Sequence, residues 1–417
     1  MGTVLFIEDA YHTERHVTRG FRLGAVRSGW TPKVAWLRDP NGQQRPFEDL
    51  MRDIEESAPD LIVWTMDWVL PCAKALMQER FRHIPKASLW FDDFQRTYAI
   101  HRYTEEHRRL GKEHRLQTYV WDGYWRNQFE SKLQVSSLPI HLAADEIDYF
   151  PQDATRFKGY ENTVVFIGNI PSLASILNEV SALPVFCRSF IERTAQIIQT
   201  GAYALLPYEA MERAYHELTF KCKVAVDHFR QDIGQGIVLN RLAWLFGKRE
   251  VRLRILRLAL QQADLVILSG HSEKTFAQAD ELSREFAGSR HRVHFINTDH
   301  VELHQLGCLY HIGGLHLQAT DPQSVEGGIP FRVFETAASG RPLLSDRKPE
   351  LAAAFEGGRE ILFYESDQDF SEKLSVALQE RARWKDIGDA AYNRFLREHT
   401  WKHRFQALAN AVTIPAS

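Results

Sequence analysis

The sequence predicts an α/β protein built from two doubly wound, Rossmann-like domains. Three observations carry this reading. Short apolar runs alternate with helical stretches through the first 150 residues, at the spacing of βαβ units. The pattern then breaks at a polar stretch containing Pro139 and Pro151. A new apolar strand follows, Thr163–Ile167, and it ends in its own glycine turn, Gly168-Asn169.

In order, the expected strands of the first half are Val4–Ile7, Lys33–Leu37, Leu61–Trp64, Ala87–Phe91, Gln117–Val120 and Val135–Leu138. Helical stretches His12–Ser28, Phe47–Ser57 and Pro71–Phe81 lie between them. Continuous apolar strands separated by helices imply a parallel sheet covered on both faces, with ligands bound beyond the carboxyl ends of the strands. In the second half, residues 171–262 read as mainly helical and close with Glu250–Ala263, whose apolar positions recur at helical spacing. Strands Asp264–Leu268, Arg292–Ile296 and Leu315–Gln318 follow. The expected domains are 1–155 and 156–399, with a helical insertion at 171–262 and a terminal helix at about 400–417.

The bulk properties narrow the function classes. A length of 417 residues suits two to three domains, and 44% apolar with 25% charged residues describes an ordinary globular chain. A formal net charge of −3 argues against a general nucleic-acid binder, while leaving room for a small anionic ligand held by local charge. The four cysteines, Cys72, Cys187, Cys222 and Cys308, form no CxxC pair, so free thiols in a reducing, cytoplasmic compartment are expected. Met1 leads directly into a strand without the pattern of a signal peptide, and Phe6 stands where a myristoylation motif wants Ser or Thr. No apolar run approaches the length of a transmembrane segment. The eighteen histidines are scattered without metal-ligand spacing, and no metal is expected.

The most informative segment is Glu326-Gly327-Gly328-Ile329-Pro330-Phe331-Arg332-Val333-Phe334-Glu335, running on to Gly340. Two glycines free the backbone, Pro330 opens a helix where a missing N–H costs nothing, and Gly340 stands where that helix stops. A glycine loop feeding a helix N-terminus suits an anion. Arg332 can pair with a phosphate, and Glu335 can accept hydrogen bonds from the vicinal diol of a ribose. Together these point to a nucleotide, and specifically to a nucleotide-sugar. The same residues also fit a buried αβ turn with one internal Arg–Glu pair.

This segment resembles the nucleotide-binding core of GT-B glycosyltransferases, and among them the spore-maturation (CgeB-like) set. Further matches follow in order: Leu343-Leu344-Ser345-Asp346, the run from Phe355 to Tyr364, and His399-Thr400-Trp401 with Arg404. Upstream, Leu89-Trp90-Phe91-Asp92-Asp93 is similar to a strand end of that family's first domain. The resemblance implies two Rossmann-like domains facing a central cleft, with the terminal helix crossing back to the first. It implies a nucleoside-diphosphate sugar as donor substrate, no cofactor, and a diphosphate held without metal. Gly168, Asn169, Gly327, Gly328 and Arg332 would then surround the diphosphate, and Glu335 the ribose. Many retaining relatives carry a second glutamate eight residues before the ribose ligand. Here that position is Gly327, and Glu326 lies one residue earlier, so the stereochemical course stays open. Phe295, Asn297, Thr298 and Tyr310 are placed to contact the base.

The first domain should bind the acceptor, whose identity is unknown, and supply a general base. An inverting transfer needs a His, Asp or Glu at a carboxyl strand end. His12 ranks first, because it accepts a proton near neutral pH, followed by Asp93 and Asp9. Asp92 and Asp122 stand at comparable positions, although strand-end aspartates often only cap the next helix. Tryptophans 64, 68, 90, 121 and 125 are available to stack on a sugar acceptor or to pack the core. The expected function is a metal-independent glycosyltransferase. The rival readings are a nucleotide-sugar epimerase on the same fold and a non-catalytic nucleotide-binding coat or assembly protein.

Overall fold

The computed structural model describes residues 2–8, 15–39, 41, 43–65, 75–91, 107–149, 159–200, 207–231, 233–270, 277, 279–299, 301, 303–321, 324 and 327–413. The chain divides into two compact units. The first holds Met1–Asp145, Val325–Phe331 and Leu396–Ser417, and the second holds Glu146–Ser324 and Arg332–Phe395. The glycine loop therefore groups with the first unit, whereas the helix it feeds groups with the second from Arg332 onward. This division differs from the boundaries of 155 and 399 read from the sequence. The break after Asp145 falls within the stretch between Pro139 and Pro151, and Val325–Phe331 joins the first unit as a separate segment.

The first unit is built on six strands: β1 (Thr3–Glu8), β2 (Thr31–Trp36), β3 (Leu61–Thr65), β4 (Lys86–Trp90), β5 (Leu116–Val120) and β6 (Ser137–Pro139). They pair in parallel in the order β2-β1-β3-β4-β5-β6. Pro32 and Pro139 sit on the two edge strands, where a missing ladder donor is tolerated. The last strand begins later than the expected Val135. Gln134 takes a left-handed conformation, φ 55°, to end the helix Gly123–Leu133, so the chain is not yet extended there.

The terminal helix Trp401–Thr413 packs against Arg15–Arg27 within this unit. Two glycines allow the approach, since a Cβ at Gly20 would lie 2.1 Å from the Trp401 ring and one at Gly24 2.2 Å from the Trp401 carbonyl oxygen. The His399–Arg404 signature has a structural role here. Thr400 bridges to Ala144, and Arg404 donates to the carbonyls of Leu142 (2.9 Å) and Glu398 (3.0 Å).

The second unit carries β7 (Val164–Ile167), β8 (Leu265–Ser269), β9 (Val293–Asn297), β10 (Leu315–Gln318), β11 (Leu343–Asp346) and β12 (Leu362–Tyr364). These are also parallel, in the order β12-β11-β10-β7-β8-β9. The strand order reverses between β7 and β10, and the crevice at their carboxyl ends is where this topology places a ligand. Among the described residues of 171–262 there are five helices: Leu173–Ser181, Val185–Thr200, Pro207–Glu217, Phe220–Gln231 and the 27-residue Ile233–Ala259. The insertion has its own core, including Ile176, Phe190, Ile191, Met211, Leu242 and Phe246. The long helix leaves that core and joins the sheet core through Leu253, Leu256 and Ala259. Lys248 and Arg252, one turn apart, lie between these two buried stretches.

Candidate functional site

At the carboxyl end of β7 the backbone turns through Gly168, with φ 153°. The backbone conformation calls for glycine, and a Cβ there would also come within 3.2 Å of both Cζ and Nε of Arg332, which would have to shift slightly. Arg332 projects from the first turn of the helix Phe331–Ala338 and lays its guanidinium against this turn. The geometry thus joins Gly168 and Arg332, which are far apart in sequence. The Gly168 amide itself donates to Leu268 O (2.9 Å). Asn169 ties the turn to the end of β8, its Oδ1 accepting from Ser269 Oγ (3.1 Å) and Gly270 N (3.0 Å).

Two further cations stand at this switch point, and motif reading did not find them. Lys248 Nζ lies 3.0 Å from Asp321 Oδ2 and 4.5 Å from the Trp244 ring centre. Arg252 donates from Nη1 to the Asn169 carbonyl, with Nη2 3.8 Å from Asp321 Oδ2, while its buried Nε has no hydrogen-bond partner. Asp321 follows β10 and also accepts from Trp244 Nε1 (2.6 Å). Burial alone would raise the Asp321 carboxyl, but Lys248 and Arg252 hold it at about 2. Burial lowers Lys248 to about 8 and Arg252 to about 10, and in both cases the nearby positive charge of Arg332 adds to the drop. Three cations therefore share one site with Asp321. The signal in the sequence was a pair of basic residues at i and i+4, which any exposed helix face also shows.

Glu335 sits one turn beyond Arg332. Its Oε1 accepts from Tyr149 Oη (2.8 Å) and its Oε2 from Tyr310 Oη. The two phenol rings meet edge to face at 5.2 Å between centres. Burial pushes the Glu335 carboxyl up, opposed by these two hydrogen bonds and by Arg332. Both tyrosines are raised well above their usual range by burial and by the Glu335 charge. Two hydroxyl donors thus engage this carboxylate, as the two hydroxyls of a vicinal diol would. Tyr310, expected near the base, donates its hydroxyl to Glu335. Asn297 accepts from its neighbour Asp299 N (2.8 Å), and Phe295 packs on the sheet core.

In the first unit the glycine loop is also engaged within the protein. Asp122 Oδ2 accepts from Gly327 N (3.1 Å) and Gly328 N (2.9 Å). Its Oδ1 caps the helix Gly123–Leu133, accepting from Tyr124 N (3.0 Å) and Trp125 N (3.4 Å). Gly328 lies flat on the Trp121 indole, where a Cβ would come within 2.7 Å of the ring. The amides of Gly168, Gly327 and Gly328, offered by the sequence as phosphate donors, are thus each bonded to protein groups. Positive charge at the switch point comes from side chains. Asp122, spent on four amides, is a positioning group rather than a base. The base candidates His12, Asp93 and Asp9, as well as Asp92 and Glu326, lie outside the described residues. Trp64 and Trp90 are core residues, and Trp121 and Trp125 are buried as well. Among the described residues, no group of three or more His, Cys, Asp or Glu side chains could hold a metal ion.

Residues 269–410 match a family model described as glycosyl transferase-like. No curated protein matches the sequence. Among solved structures, the chain is similar to a glycosyltransferase from Rickettsia africae, with 9% identity over 99% of this chain and 97% of the other, TM-score 0.58. It is similar to sucrose-phosphate synthase from Thermosynechococcus elongatus, with 10% identity over 99% and 98%, TM-score 0.59. It is also similar to the Anabaena protein HepE in complex with UDP-glucose, with 10% identity over 99% and 100%, TM-score 0.57. At such identities the likeness concerns the fold, and the family match concerns residues 269–410. The chain thus has the fold of these GT-B structures, and its residues 269–410 match a glycosyl transferase-like family.

Proposed function

We propose that the protein transfers a sugar from a nucleoside-diphosphate sugar to an acceptor hydroxyl without a metal ion, and that its relatives are the spore-maturation set within the GT-B enzymes. The observation that carries this reading is the cluster of Lys248, Arg252 and Arg332 around Gly168 at the β7–β10 switch point. Buried cations in excess of their carboxylates call for an anion, and a diphosphate supplies it. Glu335, one turn from Arg332, keeps a further lone pair on each oxygen beside those that Tyr149 and Tyr310 engage, and these suit a ribose diol. HepE, of similar fold, is seen with UDP-glucose, which supports a donor of this class. In transfer, charge gathers on the departing diphosphate, and cations fixed before the reaction stabilise it without reorganising. This chemistry belongs in the reducing, cytoplasmic compartment suggested by the cysteines. Cys187, Cys222 and Cys308 are free thiols.

The test is a thermal-shift screen against UDP-, GDP-, ADP- and dTDP-sugars, followed by turnover of the best ligand with candidate acceptors. A ligand that binds the native state raises its apparent stability by mass action. Stabilisation by one nucleotide-sugar, abolished by Arg332→Ala, is the expected result. No stabilisation by any of the four sinks the proposal.

A further inference from the structure

At the opposite end of the second sheet, a surface cavity of about 260 Å³ opens beside the amino ends of β7, β10 and β11. Its walls include Glu161, Gly340, Arg341, Arg381, Trp384 and Lys385. These residues lie outside the donor site described above: Gly168 follows β7, whereas Glu161 precedes it.

The charges of this cavity do not balance. Arg341 donates to the His311 carbonyl (3.1 Å), and Arg381 donates to Asn162 Oδ1 (2.7 Å) while resting over the Trp384 ring at 5.7 Å. Neither arginine has a carboxylate partner among the described residues. Lys385 pairs with Asp389 at the rim. Glu161 is the cavity's single carboxylate, and one of its oxygens accepts from Gly159 N (2.8 Å). The half-buried Arg341 guanidinium, bound only to a neutral oxygen, is stabilised by a charged acceptor, and together with the exposed Arg381 at the same hollow it suits a phosphate. Burial lowers the pKa of Arg341, which is the same desolvation seen from its own side. The hollow is larger than an inorganic phosphate needs, and the Trp384 indole offers an apolar wall for a carbon skeleton.

We propose that this cavity binds a small phosphate monoester, such as a sugar phosphate, through Arg341, Arg381 and Lys385. The inference does not depend on the nature of the donor substrate. Isothermal titration of the full chain with glucose 6-phosphate and with inorganic phosphate tests it. The double variant Arg381→Ala, Lys385→Ala changes exposed residues only, and circular dichroism confirms that it folds. The expected result is binding of glucose 6-phosphate by the wild type, at least tenfold weaker in the double variant and unchanged in Arg332→Ala. Absence of binding to the wild type overturns the proposal. So does binding lost in Arg332→Ala and kept in the double variant, because the ligand then occupies the donor site. Inorganic phosphate binding as tightly as the sugar phosphate, and lost in the same double variant, overturns the monoester assignment in favour of free phosphate.

Discussion

Lys248 should make nucleotide-sugar binding fall with rising pH. In the free protein its ammonium is held at about 8, mainly by burial, against an ordinary value of 10.5. A diphosphate beside it favours the charged form, so binding takes up a proton wherever Lys248 is otherwise neutral. If the bound anion restores the ordinary value, affinity at pH 9 is about tenfold below that at pH 7, and the slope then approaches tenfold per unit. Stability moves the other way. The unfolded chain holds this proton more tightly than the folded one, so the Lys248 contribution to stability rises between about pH 8 and 10.5. Unfolding at Lys248 therefore cannot imitate the loss of affinity. The assay is calorimetric titration from pH 7 to 9.5 on the wild type and on Lys248→Met, which keeps the buried stem and removes the charge. The variant should bind more weakly at pH 7, by roughly 1.5–3 kcal/mol for a charged contact. It should also lose the slope, and it serves as the control for titration of the nucleotide base. A flat wild-type profile, or an equal slope in Lys248→Met, refutes the reasoning.

Glu335→Ala should cost roughly 1.5–3 kcal/mol in nucleotide affinity. Because it also strands two buried phenols, Glu335→Gln is the companion variant, and unchanged affinity in a folded protein removes Glu335 from the ribose site. Arg332→Lys keeps the charge and loses the planar fork, so it should weaken diphosphate binding more than nucleoside binding, and equal effects on both mark Arg332 as structural. Transfer should survive EDTA, whereas complete loss restored by Mg²⁺ or Mn²⁺ overturns metal independence and directs attention to Asp92 and Asp93. His12→Ala and Asp93→Asn should each abolish transfer while sparing donor binding. Wild-type rates in both place the base elsewhere or point to retention, which is visible as product with the donor's anomeric configuration.

The fold was legible because parallel strands buried on both faces are written as continuous apolar runs, such as Val4–Ile7 and Leu61–Trp64, and these do not depend on distant partners. The helix Phe331–Ala338 was legible for a similar reason, since Pro330 and Gly340 act locally. What could not be read is the set of partners. The glycine loop offers amides, but the carboxylate that takes two of them is Asp122, 205 residues from Gly327. Glu335 meets Tyr149 across 186 residues and Tyr310 across 25, with no spacing rule linking them. Lys248 and Arg252 were visible only as basic residues on a helix. Their burial follows from the insertion packing one end of that helix while the sheet core packs the other.

The resulting charge pattern explains why the glycine amides need not be free. Asp321 is held low at about 2 and fixed by Trp244, so it stays charged and neutralises one cation. Glu335 has both oxygens engaged by phenols, so Lys248, Arg252 and Arg332 face two carboxylates that are each already bonded within the protein. Positive charge is therefore left over at the switch point, and it is costly to keep there because Lys248 and Arg252 are largely removed from water. Lowering the Lys248 pKa relieves part of that cost in the free protein, and a diphosphate bound there, as proposed, would remove the reason for it. A group that regains its proton as the anion binds adds attraction when phosphate charge is present. Under the proposed function it would also give the departing diphosphate a full cation at the moment its own charge increases. Asp122 complements this in the first unit. It holds the glycine loop through two amides, so the segment leading into Arg332 is shaped before any ligand arrives.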